Sequence, residues 1–410
     1  MMARLPKSLS IKSFKKKECT LADCADESPT GSVSVIYLDH NSTTPVLPEV
    51  REAMLPFLTS AWGNPSSGYR FGSKLRSSLV GARSQVSNLI GADPDETTFT
   101  SGGTESNNAA IHSAMLSRPG KRHIITSQVE HSSVLSYCDY LEKYQGCRIT
   151  RLPVNRYGLL SLADLGNALS DDTAVVSLMW ANNETGVLFP VEEIANLCRS
   201  RGVLYHCDAV QAAGKVPISV KTTPFDYLSI TGHKIGAPKG IGVLYTHRKS
   251  PFVPLLYGGH QEHSRRGGTE NVAAIIGFGV AAEQALKGLP SYDAAVRPLR
   301  DALEAEILSS ISNSVLNGDP VLRLPNTSNV ILGGIDNDST LTFLDQTGIC
   351  ASSGSACMES AISPSHVITA MTGSHDVASE SIRFSLSPSN TETDVRTTIQ
   401  KLHEFVNLVR

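Results

Sequence analysis

An α/β fold built around an open sheet is what the sequence predicts, and three observations carry the prediction. The run Ala174 to Trp180, AVVSLMW, is almost continuously apolar, the pattern of a strand covered on both faces in a parallel sheet. Pro190 to Arg201 then places Ile194, Leu197 and Cys198 on one helical face and stops at Gly202, and Val203 to Cys207 is strand-like again. Strand, crossover helix and strand make a βαβ unit, whose two strands run parallel and end at one sheet edge.

Composition sets the scale. With 410 residues and 40% hydrophobic content the chain can bury a core large enough for two domains. A formal charge of −3 offers no net basic field to a nucleic acid, and no apolar run read from the sequence approaches the roughly 18 residues of a membrane span. Small-molecule chemistry is therefore expected, with no nucleic-acid and no membrane partner. The 8 cysteines, at 19, 24, 138, 147, 198, 207, 350 and 357, form no Cys-x-x-Cys pair and no zinc-like Cys/His spacing. They read as reduced thiols of a cytoplasmic protein, with no metal site.

Residues 1–33 read as a disordered leader. Arg4, Lys7, Lys12, Lys15, Lys16 and Lys17 precede the first acid, Glu18. Two readings stand: a flexible tail, or a transit peptide to mitochondria or another organelle matrix, against which its lysine-rich, weakly amphipathic character counts. Val35 to Asp39 is a short strand, ended by Asn41-Ser42-Thr43-Thr44-Pro45. Helices follow at Pro48 to Leu58 and Lys74 to Ile90, separated by the loop Trp62 to Gly68 and closed by Gly91.

Glu96 to Thr100 reads as a strand, Ser101-Gly102-Gly103-Thr104 as a turn, and Glu105 to Leu116 as a helix. Glycines at such a junction let backbone N–H groups approach an anion, the helix start adds positive potential, and Thr104 offers a hydroxyl, so Gly103 and Thr104 are candidate phosphate ligands. The spacing fits neither Gly-x-Gly-x-x-Gly nor a P-loop. Arg122 to Thr126 is the next strand, and Val129-Glu130-His131-Ser132-Ser133 opens a helix to Tyr144. His131 thus follows the carboxyl end of a strand, where open α/β sheets bind ligands. The same argument places Asn183 and Asp208 at that edge, with Gln211 just beyond.

Phe225 to Ile230 is a further strand, running into Thr231-Gly232-His233-Lys234. A lysine there is by itself an ordinary surface group. Desolvated at a sheet rim, it is held partly neutral, the state an amine needs to form a Schiff base with an aldehyde cofactor. Past the strand Gly242 to Tyr245 the chain enters a glycine-rich polar loop to Asn271, a helix from Ala273, the strand Val330 to Leu332, the small-residue run Ile349 to Cys357, the strand Ser381 to Leu386 and a final helix. The division expected is a large domain at 48–276 and a smaller α+β domain made of 34–47 plus 277–410.

Lys234 for a Schiff base, Asp208 for a protonated ring nitrogen, Gly103 and Thr104 for a phosphate and His131 for a ring face are the parts that pyridoxal 5'-phosphate needs. Each is weak singly and strong jointly. On YLDHNSTTP, GNPSS, FTSGGTES, VEHSSVLS, MWANNETG, DAVQAAGKVP, GHKIGAPKG, GGHQE, RRGGTEN, RLPNTSN, SSGSAC and IRFSLS, in that order over about residues 35 to 405, the sequence resembles the pyridoxal-phosphate cysteine desulfurases of aminotransferase class V, of the NifS type. The resemblance implies the fold type I of aspartate aminotransferase and a homodimer.

It further implies that Lys234 holds the cofactor, His131 stacks on its ring and transfers protons, Asp208 pairs with the ring nitrogen and Gln211 with the phenolic oxygen. Gly103, Thr104, Thr231 and His233 would hold the phosphate, with Thr269 from the other subunit, and Asn183 and Arg383 the substrate carboxylate. Cys357 would take sulfur from L-cysteine as a persulfide, leaving alanine, and pass it to a sulfur-acceptor protein such as an iron–sulfur scaffold. Selenocysteine lyases, acting on L-selenocysteine, share GNPSS, GGTESNN, ANNETG and GTEN and are the alternative; the serine-rich SSGSAC stretch is more similar to a desulfurase. Thr231 stands where many relatives have serine, which keeps the hydroxyl.

Overall fold

The computed structural model describes residues 35–354 and 364–410. The leader at 1–33 and the candidate nucleophile Cys357 lie outside the described residues. In chain order the strands are β1 (Ile36–Tyr37), β2 (Thr97–Thr100), β3 (His123–Ser127), β4 (Arg148–Leu152), β5 (Thr173–Met179), β6 (Leu204–Asp208), β7 (Tyr227–Thr231), β8 (Gly242–Thr246), β9 (Ser314–Leu316), β10 (Thr327–Leu332), β11 (Ile349–Cys350) and β12 (Ser381–Ser385).

A seven-stranded sheet in the order β2-β8-β7-β6-β5-β3-β4 organises the fold. β4, β3, β5, β6 and β7 are mutually parallel, and β8 runs antiparallel to both β7 and β2. Every residue of β5 is buried, including the two polar ones in its otherwise apolar run, Thr173 and Ser177. Helices cover the sheet on both faces, so an alternating polar pattern would have placed unpaired groups in a dry layer. Full burial of a Val or Ile side chain stabilises by about 1.5–3 kcal/mol. Val175, Val176, Leu228 and Ile230 all lie in that regime.

β2 precedes an antiparallel neighbour of an antiparallel neighbour of β7, so its direction matches β7. The carboxyl ends of β2, β3, β5, β6 and β7 therefore fall along one edge. The helix after β2 spans Gly103–Leu116, starting two residues earlier than its apolar pattern indicates, so Gly103 and Thr104 form its first turn. His131 is the N-cap of Ser132–Gln145.

The C-terminal part adds a three-stranded antiparallel sheet, β12-β10-β9, and the two-stranded parallel pair β1-β11. Its core gathers Leu38, Val296, Leu303, Val330, Phe384 and Leu402. The helix Val272–Ser310 runs through the point at 277 where the sequence pattern changes, and packs on Leu75–Ile90 and Pro48–Thr59. By length and composition it is apolar enough to cross a membrane. Ala274, Ile275, Phe278, Ala281 and Ala282 on it belong to the core of the large sheet. Ile36–Arg410 form one compact unit.

Candidate active site

Where β3, β5, β6 and β7 end, a cavity of about 240 Å³ opens. It is lined by Gly103, Thr104, His131, Asn183, Asp208, Gln211, Thr231, His233, Lys234 and Arg383, so ten of the residues read from the sequence converge on it. Thr269 lines a different cavity, with Ser101, Arg266, Gly268 and Glu270. Cys357 is outside the described residues, but Gly354, just before it, reaches the cavity wall.

Lys234 ends a short 3-10 turn, Gly232–Lys234, directly after β7. Its Nζ donates to the backbone oxygens of Asn41 at 2.5 Å and Ser42 at 2.6 Å. The segment after β1 therefore holds the amine over the cavity. Asp208 closes β6, with Oδ1 accepting from Val210 N at 3.0 Å and Oδ2 from Asn107 Nδ2 at 2.6 Å.

Asn107 also donates to Ser133 Oγ at 2.9 Å, and that hydroxyl lies 2.8 Å from His131 Nδ1. Ser133 N donates to the same Nδ1 at 3.1 Å. An N–H can only donate, so Nδ1 is the acceptor nitrogen and a neutral His131 carries its proton on Nε2. Behind Asp208, Glu130 accepts from Ser127 Oγ at 2.7 Å and from Met179 N at 3.1 Å. Burial pushes its carboxyl up to about 8. Protonated near neutral pH, Glu130 leaves Asp208 without a charged rival.

The phosphate side is a helix start. The first N–H groups of Gly103–Leu116 have no carbonyl a turn earlier to bond, and the macrodipole favours an anion there. A Cβ on Gly103 would lie 2.9 Å from Val210 Cγ2, so a side chain would displace the cavity wall. Thr231 donates its hydroxyl to Ile241 O at 3.0 Å, which turns an acceptor oxygen toward the cavity; the hydroxyl must rotate to donate to a phosphate. Burial, reinforced by Lys234, Lys239 and His131, lowers His233 to about 4.

Arg383 is on β12 and buried. Nη2 donates to Asp39 Oδ1 at 2.6 Å and to Ser42 Oγ at 2.8 Å, and Nη1 to Asn183 O at 3.0 Å. These bonds fix the guanidinium plane, and a planar fork in fixed orientation matches a carboxylate.

Sequence reading left Asn41, Asn107, Lys215 and Glu184 unassigned. Asn41 O accepts from Lys234 and Gln211, Oδ1 from Lys215 and Asn326, and Nδ2 donates to Asn183 O and Thr327 Oγ1. Its position after β1 carries no periodic signal. Lys215, four residues after Gln211, was open to an i, i+4 argument.

The aminotransferase class-V family model matches residues 36–397. The chain is 50% identical over 378 residues to a cysteine desulfurase of Trichormus azollae, covering 92% of this chain and 94% of that one. It is 49% identical over 376 residues to the cysteine desulfurase NifS of Azotobacter vinelandii, covering 92% and 93%. Among solved structures, a NifS-like protein superposes with a TM-score of 0.85 at 33% identity, covering 91% of this chain and all of that one. The fold and site define an aminotransferase class-V enzyme. This chain belongs to that family, in the cysteine desulfurase and NifS branch.

Proposed function

We propose that this protein is a pyridoxal-phosphate-dependent cysteine desulfurase that converts L-cysteine to L-alanine and carries the sulfur on Cys357. One observation carries the reading: Lys234, Asp208, Gln211, His131 and Arg383 meet in a single cavity, in a chain half identical to a cysteine desulfurase.

The residues fit the cofactor. A helix start with a glycine whose Cβ would press on Val210 suits its phosphate, the Asp208 carboxylate its ring nitrogen, and the Lys234 amine its aldehyde. When bound, pyridoxal phosphate supplies an electron sink for the pair left at the substrate's Cα. The chain does the rest. Arg383, with Asn183 beside it, binds the cysteine carboxylate; Lys234 holds the cofactor and moves the Cα proton. His131, fixed through Nδ1 by Ser133, would stack on the ring and transfer protons. Asp208, held by Asn107, sets its carboxyl group at the cavity wall for the ring nitrogen.

The Cys357 thiolate then forms a bond to the substrate sulfur as the substrate's Cβ–S bond breaks, and a proton added at Cβ together with return of the Cα proton by Lys234 completes alanine. The persulfide is handed to an acceptor protein, for which an iron–sulfur scaffold is the expected class. The absence of Thr269 from the cavity of a single chain supports a homodimer in which Thr269 completes the partner's phosphate site. A cytoplasmic location is the reading offered, with a mitochondrial or other organelle matrix as the alternative that the basic start of the sequence raises.

The test is alanine and sulfide formation by the purified full chain loaded with pyridoxal phosphate, with L-cysteine and L-selenocysteine in parallel. Equimolar alanine and sulfur from cysteine supports the reading. Turnover of selenocysteine alone, or transamination without sulfur release, overturns it.

A further inference from the structure

Lys215 is a second lysine behind the cavity, only 6% exposed. Its Nζ donates to Gln211 Oε1 at 2.7 Å and to Asn41 Oδ1 at 3.1 Å. Gln211 lines the cavity, and its Nε2 donates to Asn41 O at 2.9 Å.

A carboxamide has two chemically opposite edges, and what it recognises depends on which edge is committed behind it. The Asn41 carbonyl can only accept, so the Gln211 amino group must face it. Lys215 supplies the donor for the other atom, Oε1. Turning the amide over would set oxygen against oxygen at Asn41 and take from Lys215 one of the two acceptors its amine meets. One Nε2 hydrogen is used on Asn41, and the second remains for the cavity.

We propose that Lys215 is a positioning residue that locks the Gln211 carboxamide through Oε1, so that the cavity meets an N–H donor there and favours a ligand oxygen bearing negative charge over a protonated one. The proposal rests on the pyridoxal-phosphate reading, in which that oxygen is the ring's own.

Lys215 acts through Gln211 rather than as a charge. Burial, with Lys234 and Arg383 as neighbouring cations, drives its amine well below the usual lysine range. His40 also faces it, and burial with Lys215 beside it lowers that ring to about 4. Asp39, the acid that acts on His40, is engaged by Arg383. A neutral amine has two N–H groups, matching the two acceptors it meets.

The experiment is a pH titration of the visible band of the loaded protein, for wild type, Lys215→Met, Lys215→Gln, Gln211→Leu and the Lys215→Met/Gln211→Leu pair. A donor to an anionic oxygen lowers that oxygen's pKa, so Lys215→Met raises the midpoint by about one pH unit. Lys215→Gln, whose amide can donate to Oε1, recovers most of it. Lys215→Met adds no shift once Gln211 is Leu. An equal shift in both backgrounds, or no shift in either, overturns the proposal. Thermal unfolding of the same variants before cofactor is added reads the Lys215–Gln211 bond without the cofactor: the pair melts higher than the sum of its two single shifts predicts. Strict additivity there overturns the proposal, whereas a wild type that gains no visible band overturns the cofactor reading and leaves this cycle to decide on Lys215.

Discussion

The carboxylate of Glu184 lies against Gly354, where a Cβ would sit 2.6 Å from Oε2 and 2.9 Å from Cδ. The same Oε2 accepts from Ser365 Oγ at 2.5 Å, so one buried acid contacts the chain on both sides of Cys357. Gly354 also has φ of 91°, a conformation that costs other residues about 1–2 kcal/mol. Gly354→Ala is therefore expected to keep the visible absorbance of the loaded protein and to lose alanine release by about tenfold or more, since 1.4 kcal/mol is tenfold in rate. Steady-state kinetics beside an absorbance spectrum checks this; wild-type turnover would remove the contact from any role.

Lys234→Ala is expected to abolish both the visible absorbance and the turnover. Lys215 is committed behind Gln211, and neither it nor Lys239, the cation beside His233, is in the cavity lining. A variant that keeps its colour and activity would reassign the anchor.

Asp208→Asn is expected to fold and bind cofactor while turnover falls by about a hundredfold or more, because a neutral ring nitrogen makes a poor electron sink. Asn107→Ala removes the donor at Asp208 Oδ2 and, through Ser133, disturbs His131. It should lower turnover by a smaller factor, on the order of tenfold for the loss of one charge-assisted bond. Rates for both variants at matched cofactor occupancy provide the test.

Cys357→Ser should still bind cofactor and cysteine, since those steps use Lys234, His131 and Arg383, and should form no persulfide. A serine hydroxyl is far less ionised than a thiol near neutral pH. Mass spectrometry of the peptide carrying Cys357, with Cys350→Ser as control, decides the nucleophile; a persulfide on Cys350 would move it.

His206 bridges two strands, its Nδ1 at 2.8 Å from Ser177 Oγ and its Nε2 at 2.9 Å from Ser229 Oγ. Burial holds it down to about 3 from 6.5. The unfolded chain gains a proton below about pH 6.5 that the folded chain refuses until about 3. Its contribution is thus fully present above 6.5 and is lost on acidification, at a limiting slope of about 1.4 kcal/mol per pH unit. Urea unfolding at pH 7 and pH 5 should show a smaller acid loss in His206→Gln than in wild type, whatever its stability at pH 7. An equal loss would show that His206 does not titrate in this way.

The site was legible in the sequence where chemistry sits at the end of a strand. His131, Asp208 and Lys234 each follow an apolar run, and periodicity with the parallel-sheet rule places them on one edge. Asn41, Asn107 and Glu184 were not legible, because their roles arise from contacts across long sequence separations that no local pattern encodes. Asn41, for example, meets Thr327, 286 residues away. The helix start at Gly103 was blurred for a local reason: its first turn is glycine and threonine, poor helix formers whose value there is to face a ligand.

Asn41 sets the order in which the protein can become active. Its partners Gln211, Lys234 and Thr327, together with Ser385, whose Oγ accepts from Asn41 N, are spread over most of the chain. A nascent polypeptide can complete the seven-stranded sheet once residue 246 has been made, but the cavity lacks Arg383 and the Ser385 anchor until translation is almost finished. Substrate binding is in this sense a late checkpoint of synthesis, and a fragment truncated between Thr246 and Arg383 has every strand of the seven-stranded sheet and no Arg383 to hold a substrate carboxylate.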